Sequence, residues 1–196
     1  VGFQLHIKQP YPNLLENLRG AYEYGMETGD VDTAFLATIQ EYTLLYMNCG
    51  LPLSAIEMET RAFNQEMQDY QNSNVGDNMR TLLQMLLNLT GKSESTIYLK
   101  GDVFDEDHFV SERSLSRSNE QAVNVQVLRA LALQLGCFFD DLRRGKTLLK
   151  QVNKDSRILM SQADIQTFIV GMSAATLYSE TGKNTYLRMA RKKLKA

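Results

Sequence analysis

Residues 14–34, LLENLRGAYEYGMETGDVDTA, decide the fold class. Leu14, Leu15, Leu18, Ala21, Tyr22 and Gly25 recur at three- and four-residue intervals and so share one face of a helix. Tyr11-Pro12-Asn13 opens that helix, with proline near the first turn, where its missing N–H is no loss. Gly29 stops it, because glycine accepts the left-handed conformation that closes a helix. Asp30 then serves as the N-cap of a second helix. Ala34 lies one turn further in, small enough for two helices to cross closely. Gly50 and Ala55 repeat the spacing of Gly29 and Ala34, and Gly91, Gly136 and Gly182 are expected to punctuate the helices that follow. The unit of the chain is helix, glycine, helix.

Outward from this stretch, prolines occur only at positions 10, 12 and 52, so long helices are permitted nearly everywhere. The second helix carries Phe35, Thr38, Ile39, Tyr42, Leu45 and Tyr46 before Gly50. A third is predicted from Leu53 to Tyr70, with Ile56, Ala62, Phe63 and Met67 on one side and Asn72-Ser73-Asn74 as the break after it. A strongly apolar fourth covers Val75 to Thr90, followed by one long connection at 92–103 and a short helix from Phe104 to Ser111. Then come Asn119 to Leu135, an amphipathic helix with Phe138, Leu142, Leu148, Leu149 and Val152, and a final pair, Ser161 to Glu180 and Lys183 to Lys195. Such pairs cannot bury their apolar faces alone and must stack on one another. The expectation is an all-α chain: an extended segment at 1–10, then a single helical-repeat domain over 11–196, built as an irregular tetratricopeptide-like helical-hairpin stack, an α-α superhelix.

Bulk properties restrict function. Twenty-one basic against 23 acidic residues leave a formal charge of −2, so no global field draws in nucleic acid or anionic lipid, and neither is an expected partner. Cys49 and Cys137 each lie in an apolar stretch and read as buried thiols, which suits a reducing, cytoplasmic compartment. Val1 to Lys8 has no initiator Met, no basic n-region and no apolar h-region, so neither a signal nor a transit peptide is expected, and the chain reads as a segment of something longer. The most apolar run, Ala122 to Phe139, is interrupted by Asn124, Gln126, Arg129 and Gln134 and reads as a central buried helix.

Partial chemical motifs fail on inspection. Gly91-Lys92-Ser93 and Gly145-Lys146-Thr147 imitate the end of a phosphate-binding loop, but Leu86 and Asp140 stand where its first glycine is needed. Gly171-Met172-Ser173-Ala174-Ala175 lacks the second glycine of a nucleophile elbow and has the spacing of a helix interior. Asp102, Asp105, Glu106, Asp107 and Glu112 miss the register of an EF-hand, and Asp105, Glu106 and Asp107 are placed in the first turn of the short helix. His6 and His108 have no ligand set at metal spacing, and Cys137 has no activating base beside it in sequence. Asn88-Leu89-Thr90 fits a glycosylation acceptor that an intracellular helix end would keep silent. Arg188, Arg191, Lys192, Lys193 and Lys195 form the one basic run, an interaction patch or a solvated last turn complementing its helix dipole. No catalytic, cofactor-binding or metal-binding residue is expected. The alternative is an all-α small-ligand binder or enzyme in which Asp102, Asp105, Glu106, Asp107 and His108 converge on an apolar pocket.

The run from Leu14-Leu15-Glu16 through Ala21-Tyr22-Glu23-Tyr24-Gly25-Met26-Glu27-Thr28-Gly29-Asp30-Val31-Asp32-Thr33-Ala34 resembles the helical region that follows the AAA-type ATPase domain in large multi-sensor signalling kinases. Cys49-Gly50-Leu51-Pro52-Leu53, Leu87-Asn88-Leu89-Thr90-Gly91 and Gly101-Asp102-Val103-Phe104-Asp105-Glu106 keep the same order. Where such relatives show a Gly-Asp-Tyr turn, this chain has Gly136-Cys137-Phe138. The resemblance implies tetratricopeptide-like architecture, no catalytic role for the matched residues, and a connector placed between an ATP-dependent switch and signalling output domains. Neighbouring ATPase, kinase or sensor domains, or another protein, are the partners it implies.

Overall fold

Pro12 lies in a 3-10 turn, Tyr11–Leu14, that leads into α1, Leu15–Thr28. Gly29 closes α1 with φ 79°, and its N–H donates to Met26 O at 3.3 Å. Asp30 caps α2, Val31–Ala34, by accepting from Thr33 N at 3.4 Å. Then follow α3, Leu53–Asp69, α4, Ser73–Leu89, α5, Glu106–Ser114, α6, Asn119–Phe138, α7, Gly145–Lys154, α8, Ala163–Thr181, and α9, Asn184–Lys193. In this computed structural model the described residues are 11–35, 49–70, 73–114, 119–142, 144–154 and 163–194. The expected extended segment at 1–10, the body of the second helix at 36–48 and Lys195 lie outside them. Among the described residues the chain is all-α, its one β-type contact being an isolated bridge between Lys100 and Asp105. No helix of the described residues is long and apolar enough to cross a membrane.

Packing divides the chain into two units, Val1–Thr90 and Gly91–Ala196. In the first, Phe35, Met67, Val75 and Met79 form a buried cluster against which Tyr22, Met26, Val31 and Phe63 pack. Tyr22 meets Phe35 and Phe63 with ring centroids 6.1 and 5.7 Å apart, and its hydroxyl donates to Glu66 Oε1 at 2.5 Å. Burial first, then the Glu66 carboxylate, drives the Tyr22 phenol well above its usual range. Gly25 lets α1 approach Ala34: a Cβ placed there would lie 2.7 Å from the Ala34 Cβ. The body of the helix expected to cross at Ala55 lies outside the described residues. Ala55 is exposed because Ile56 and Thr60 take the inward face of α3, and Ala62 is exposed for the same reason. Thr60 can be buried because its hydroxyl donates to Ile56 O at 2.7 Å. The break expected at Asn72-Ser73-Asn74 is shorter, since α4 already includes Ser73 and Asn74. That helix is buried continuously from Val75 to Met79 and from Thr81 to Asn88, polar residues included. Some of its polar groups are satisfied within the helix: the Thr81 hydroxyl donates to the Asp77 carbonyl, and Gln84 Nε2 donates to Asn88 Oδ1, whereas the oxygens Asn78 Oδ1 and Gln84 Oε1 are buried without a hydrogen-bond partner among the described residues.

In the second unit α6 packs against α5, α7 and α8, while α8 and α9 form a hairpin turned at Gly182 with φ 65°. Leu128, Leu131, Leu133, Leu135, Leu149, Val152, Ile169, Val170, Leu177 and Tyr186 are among its buried residues. Gly136 does not end α6 as expected. The helix runs on to Phe138 and closes with Asp140, whose φ of 50° makes it the left-handed residue. Asp141 N donates to Gly136 O at 2.8 Å and Asp140 N to Cys137 O at 3.3 Å, the paired bonds of a Schellman cap. Gly136 serves the return of the chain: a Cβ there would lie 2.9 Å from Asp141 O. Because Asp140 holds a conformation that costs a side chain about 1 kcal/mol, Asp140→Gly is expected to raise stability by about 0.5–1 kcal/mol, read as a higher urea midpoint at unchanged slope.

Candidate functional site

The connection at 92–103 is an ordered corner. Ile97, Leu99 and Phe104 are buried, and the Phe104 ring lies 5.2 Å from that of Phe109 on α5. Glu106 ties the corner down twice: its backbone N–H donates to Leu99 O at 3.0 Å, and its Oε2 accepts from Leu99 N at 3.1 Å. Glu106 is 4% exposed, a poor place for a lone carboxylate. Arg144, at the mouth of α7, supplies the charge that permits it. Arg144 Nη2 lies 2.6 Å from Glu106 Oε1, Nη1 donates to Ile97 O at 3.3 Å, and the guanidinium carbon sits 4.3 Å from the centre of the Tyr98 ring. One arginine therefore joins the corner, α5 and α7.

Around this ion pair α5, α6 and α7 enclose three sides of a cavity of about 570 Å³, lined by Glu106, Asp107, Val110 and Ser111, by Leu128, Arg129 and Ala132, and by Arg144, Thr147, Leu148 and Gln151. Its fourth side is open. Leu128, Ala132 and Leu148 give an apolar floor, and Val110 is a partly exposed rim residue.

The acidic residues picked out in the sequence do not converge here. Only Glu106 and Asp107 reach the cavity, while Asp102 and His108 are exposed. Asp105 precedes α5 as its N-cap rather than sitting in the first turn, its Oδ1 accepting from Asp107 N at 2.9 Å and His108 N at 3.1 Å. Carboxylates at a helix N-terminus accept free N–H groups best from the cap position, and the helix starts at Glu106, two residues after the expected Phe104. The N–H of His108 above all, with that of Asp107 and the Lys100 ammonium, holds the Asp105 carboxyl below its usual range. Lys100 Nζ lies 3.4 Å from Asp105 and 3.5 Å from Asp107, and the Asp105 carboxylate raises the Lys100 ammonium in turn. A depressed folded-state pKa gives stability that is present above the unfolded value and is lost as pH falls through the folded one. Asp105→Ala is accordingly expected to melt lower than the natural chain near neutral pH, with the gap closing below about pH 4; melting curves across pH check this.

Elsewhere, Gly29, Gly50, Gly91 and Gly182 have φ between 65° and 79°. Arg188, Arg191 and Lys192 are exposed on α9 and Lys193 is half-buried. Ser173 lies inside α8, its hydroxyl donating to Ile169 O at 2.8 Å, so the Gly171 to Ala175 stretch is helix interior. Cys137 Sγ is 2.9 Å from Ser173 Oγ, and burial raises its thiol while that hydrogen bond opposes the rise. Asn88 is buried, which closes it to glycan transfer in the folded chain. No group of three or more His, Cys, Asp or Glu that could hold a metal ion occurs among the described residues. Sequence reasoning missed Arg144 and Tyr98 entirely and met Arg129 only as an interruption of an apolar run. That interruption was the available signal, because a charged residue within a packing helix must face an edge or a cavity.

Compared with protein-family models, with curated proteins and with solved structures, the chain matches none.

Proposed function

We propose that this chain is a non-catalytic helical scaffold and relay module of a multidomain signalling ATPase or kinase, and that it contacts neighbouring domains or a partner protein through its helical surfaces. The observation that carries the reading is the state of the ionisable groups in the α5–α6–α7 cavity. Glu106 and Arg144 are bound to each other and to backbone, so they hold the walls in place. General acid–base work needs a group free to exchange its proton with a substrate. Helix pairs with glycine-closed ends, α3 with α4 and α8 with α9, support a tetratricopeptide-like stack, whose ordinary use is a binding surface. A relay further needs two discrete arrangements of its helices. The resemblance to the region after an AAA-type ATPase domain supplies the signalling context, and a cytoplasmic location goes with it.

The test uses the chain within its full-length protein. Val110, Thr147 and Gln151 are changed together to alanine, and partner co-purification and nucleotide-dependent output are measured. Loss of either supports the module. Unchanged binding together with unchanged output would sink it.

A further inference from the structure

The cavity between α5, α6 and α7 has a charge pattern that selects its occupant. Of its four charged groups, Glu106 and Arg144 pair with each other, and the exposed Asp107 shares the Lys100 ammonium, 3.5 Å away, with Asp105. The remaining one is Arg129. Half-buried in the wall contributed by α6, it makes no hydrogen bond or ion pair among the described residues. A guanidinium held beside the apolar surface of Leu128, Ala132, Leu148 and Val110 keeps a desolvation cost that an incoming carboxylate would offset. Thr147 and Gln151 add hydrogen-bonding side chains on the facing wall.

We propose that this groove docks an amphipathic helix of a partner or neighbouring domain, with an apolar side chain on the Leu128, Ala132 and Leu148 floor and an acidic side chain one turn away paired to Arg129. The inference deepens the scaffold reading and rests on it. Geometry favours a helix over a small molecule. The lining covers one to two turns of each wall helix, about 6–10 Å, and stays open above. A small ligand there would leave a face in water, whereas a helix satisfies its own backbone and needs only one stripe covered. Charge favours an acidic stripe, because the lining charge that has no ionic partner among the described residues is the cation Arg129.

The experiment titrates the 196-residue chain with a blocked, helix-forming peptide. Its Ala/Gln background carries Leu at i and i+4 and Glu at i+3, and a matched peptide has Gln for Glu. Binding is read from NMR shifts of the Val110 and Leu148 methyls. The Glu peptide is expected to bind about ten-fold tighter than the Gln peptide, the scale of one charge-assisted pair. Arg129→Gln should abolish that preference, Arg129→Lys should keep part of it, and added salt should shrink it. Should Arg129→Gln fail to fold, Thr147→Glu, a change at an exposed rim position, is expected to reverse the preference. Equal affinity for the two peptides, a preference that survives Arg129→Gln, or no binding by either peptide overturns the proposal. Co-purification of neighbouring domains with the Arg129→Gln protein would then show that the scaffold reading survives without this groove.

Discussion

Arg144→Met is expected to destabilise the chain by about 3 kcal/mol, the lower end of the cost of orphaning a buried charge, since Arg144 itself is partly exposed. The loss lies mainly with Glu106, which stays buried but no longer has its cation. The corner at Ile97 to Leu99 loses the N–H donor to the Ile97 carbonyl and the Tyr98 stacking partner at the same step. The combined variant Glu106→Gln with Arg144→Met removes the charge and retains an oxygen for Leu99 N. It is expected to recover more than half of the loss, because removing both ions avoids the orphan. Urea unfolding followed by circular dichroism measures both. A single variant within about 0.5 kcal/mol of the natural chain, the range of an ordinary surface change, would mean that the pair does not hold the corner.

Gly25→Val is expected to cost about 2–3 kcal/mol through overpacking at the α1–α2 crossing. The Ala34 backbone crowds the site along with its side chain: an added Cβ lies 3.2 Å from Ala34 Cα as well as 2.7 Å from Ala34 Cβ. Rotamer changes therefore cannot relieve the clash, and the helices must part. Gly25→Ala brings the same Cβ but gains about 1 kcal/mol of helix propensity, so its net effect is much smaller. Adding Ala34→Gly to Gly25→Val should restore about half of the loss, the remaining backbone crowding at position 34 and the helix cost of glycine claiming the rest. Denaturant midpoints of the natural chain, Gly25→Val, Ala34→Gly and the double variant form the cycle that checks this, and strictly additive losses would show that Gly25 and Ala34 do not share the crossing.

The helical class was legible because three- and four-residue apolar spacing and glycine-marked ends are local signals, as at Leu18, Tyr22 and Gly29. Faces were less legible where a polar side chain could satisfy itself along the helix. Thr60 donates to Ile56 O and so takes an inward place that hydrophobicity alone assigned to Ala62. Gly136 was misread because a glycine can serve close approach as well as left-handed backbone, and the two look alike in sequence. The left-handed residue proved to be Asp140, of a type that ordinarily marks the start of a helix. The Glu106–Arg144 pair was illegible for a different reason. Its partners are joined by tertiary packing, and neither has a neighbour in sequence that announces the other.

The approach of Cys137 to Ser173 gives the molecule a native reporter of its own breathing. A thiol reacts as thiolate, and burial against α8 keeps that form scarce as well as shielded. Cys137 is part-buried, and local separation of α6 from α8 is expected to speed labelling at that sulfur. Under conditions where the chain recloses faster than the reagent attacks, the part of the rate that comes from opening follows the free energy of that opening, as hydrogen exchange does for an amide. Whatever docks on the second unit and stiffens it will slow that reaction, so occupancy can be followed from a sulfur atom in the seam once the other cysteine, Cys49, is replaced.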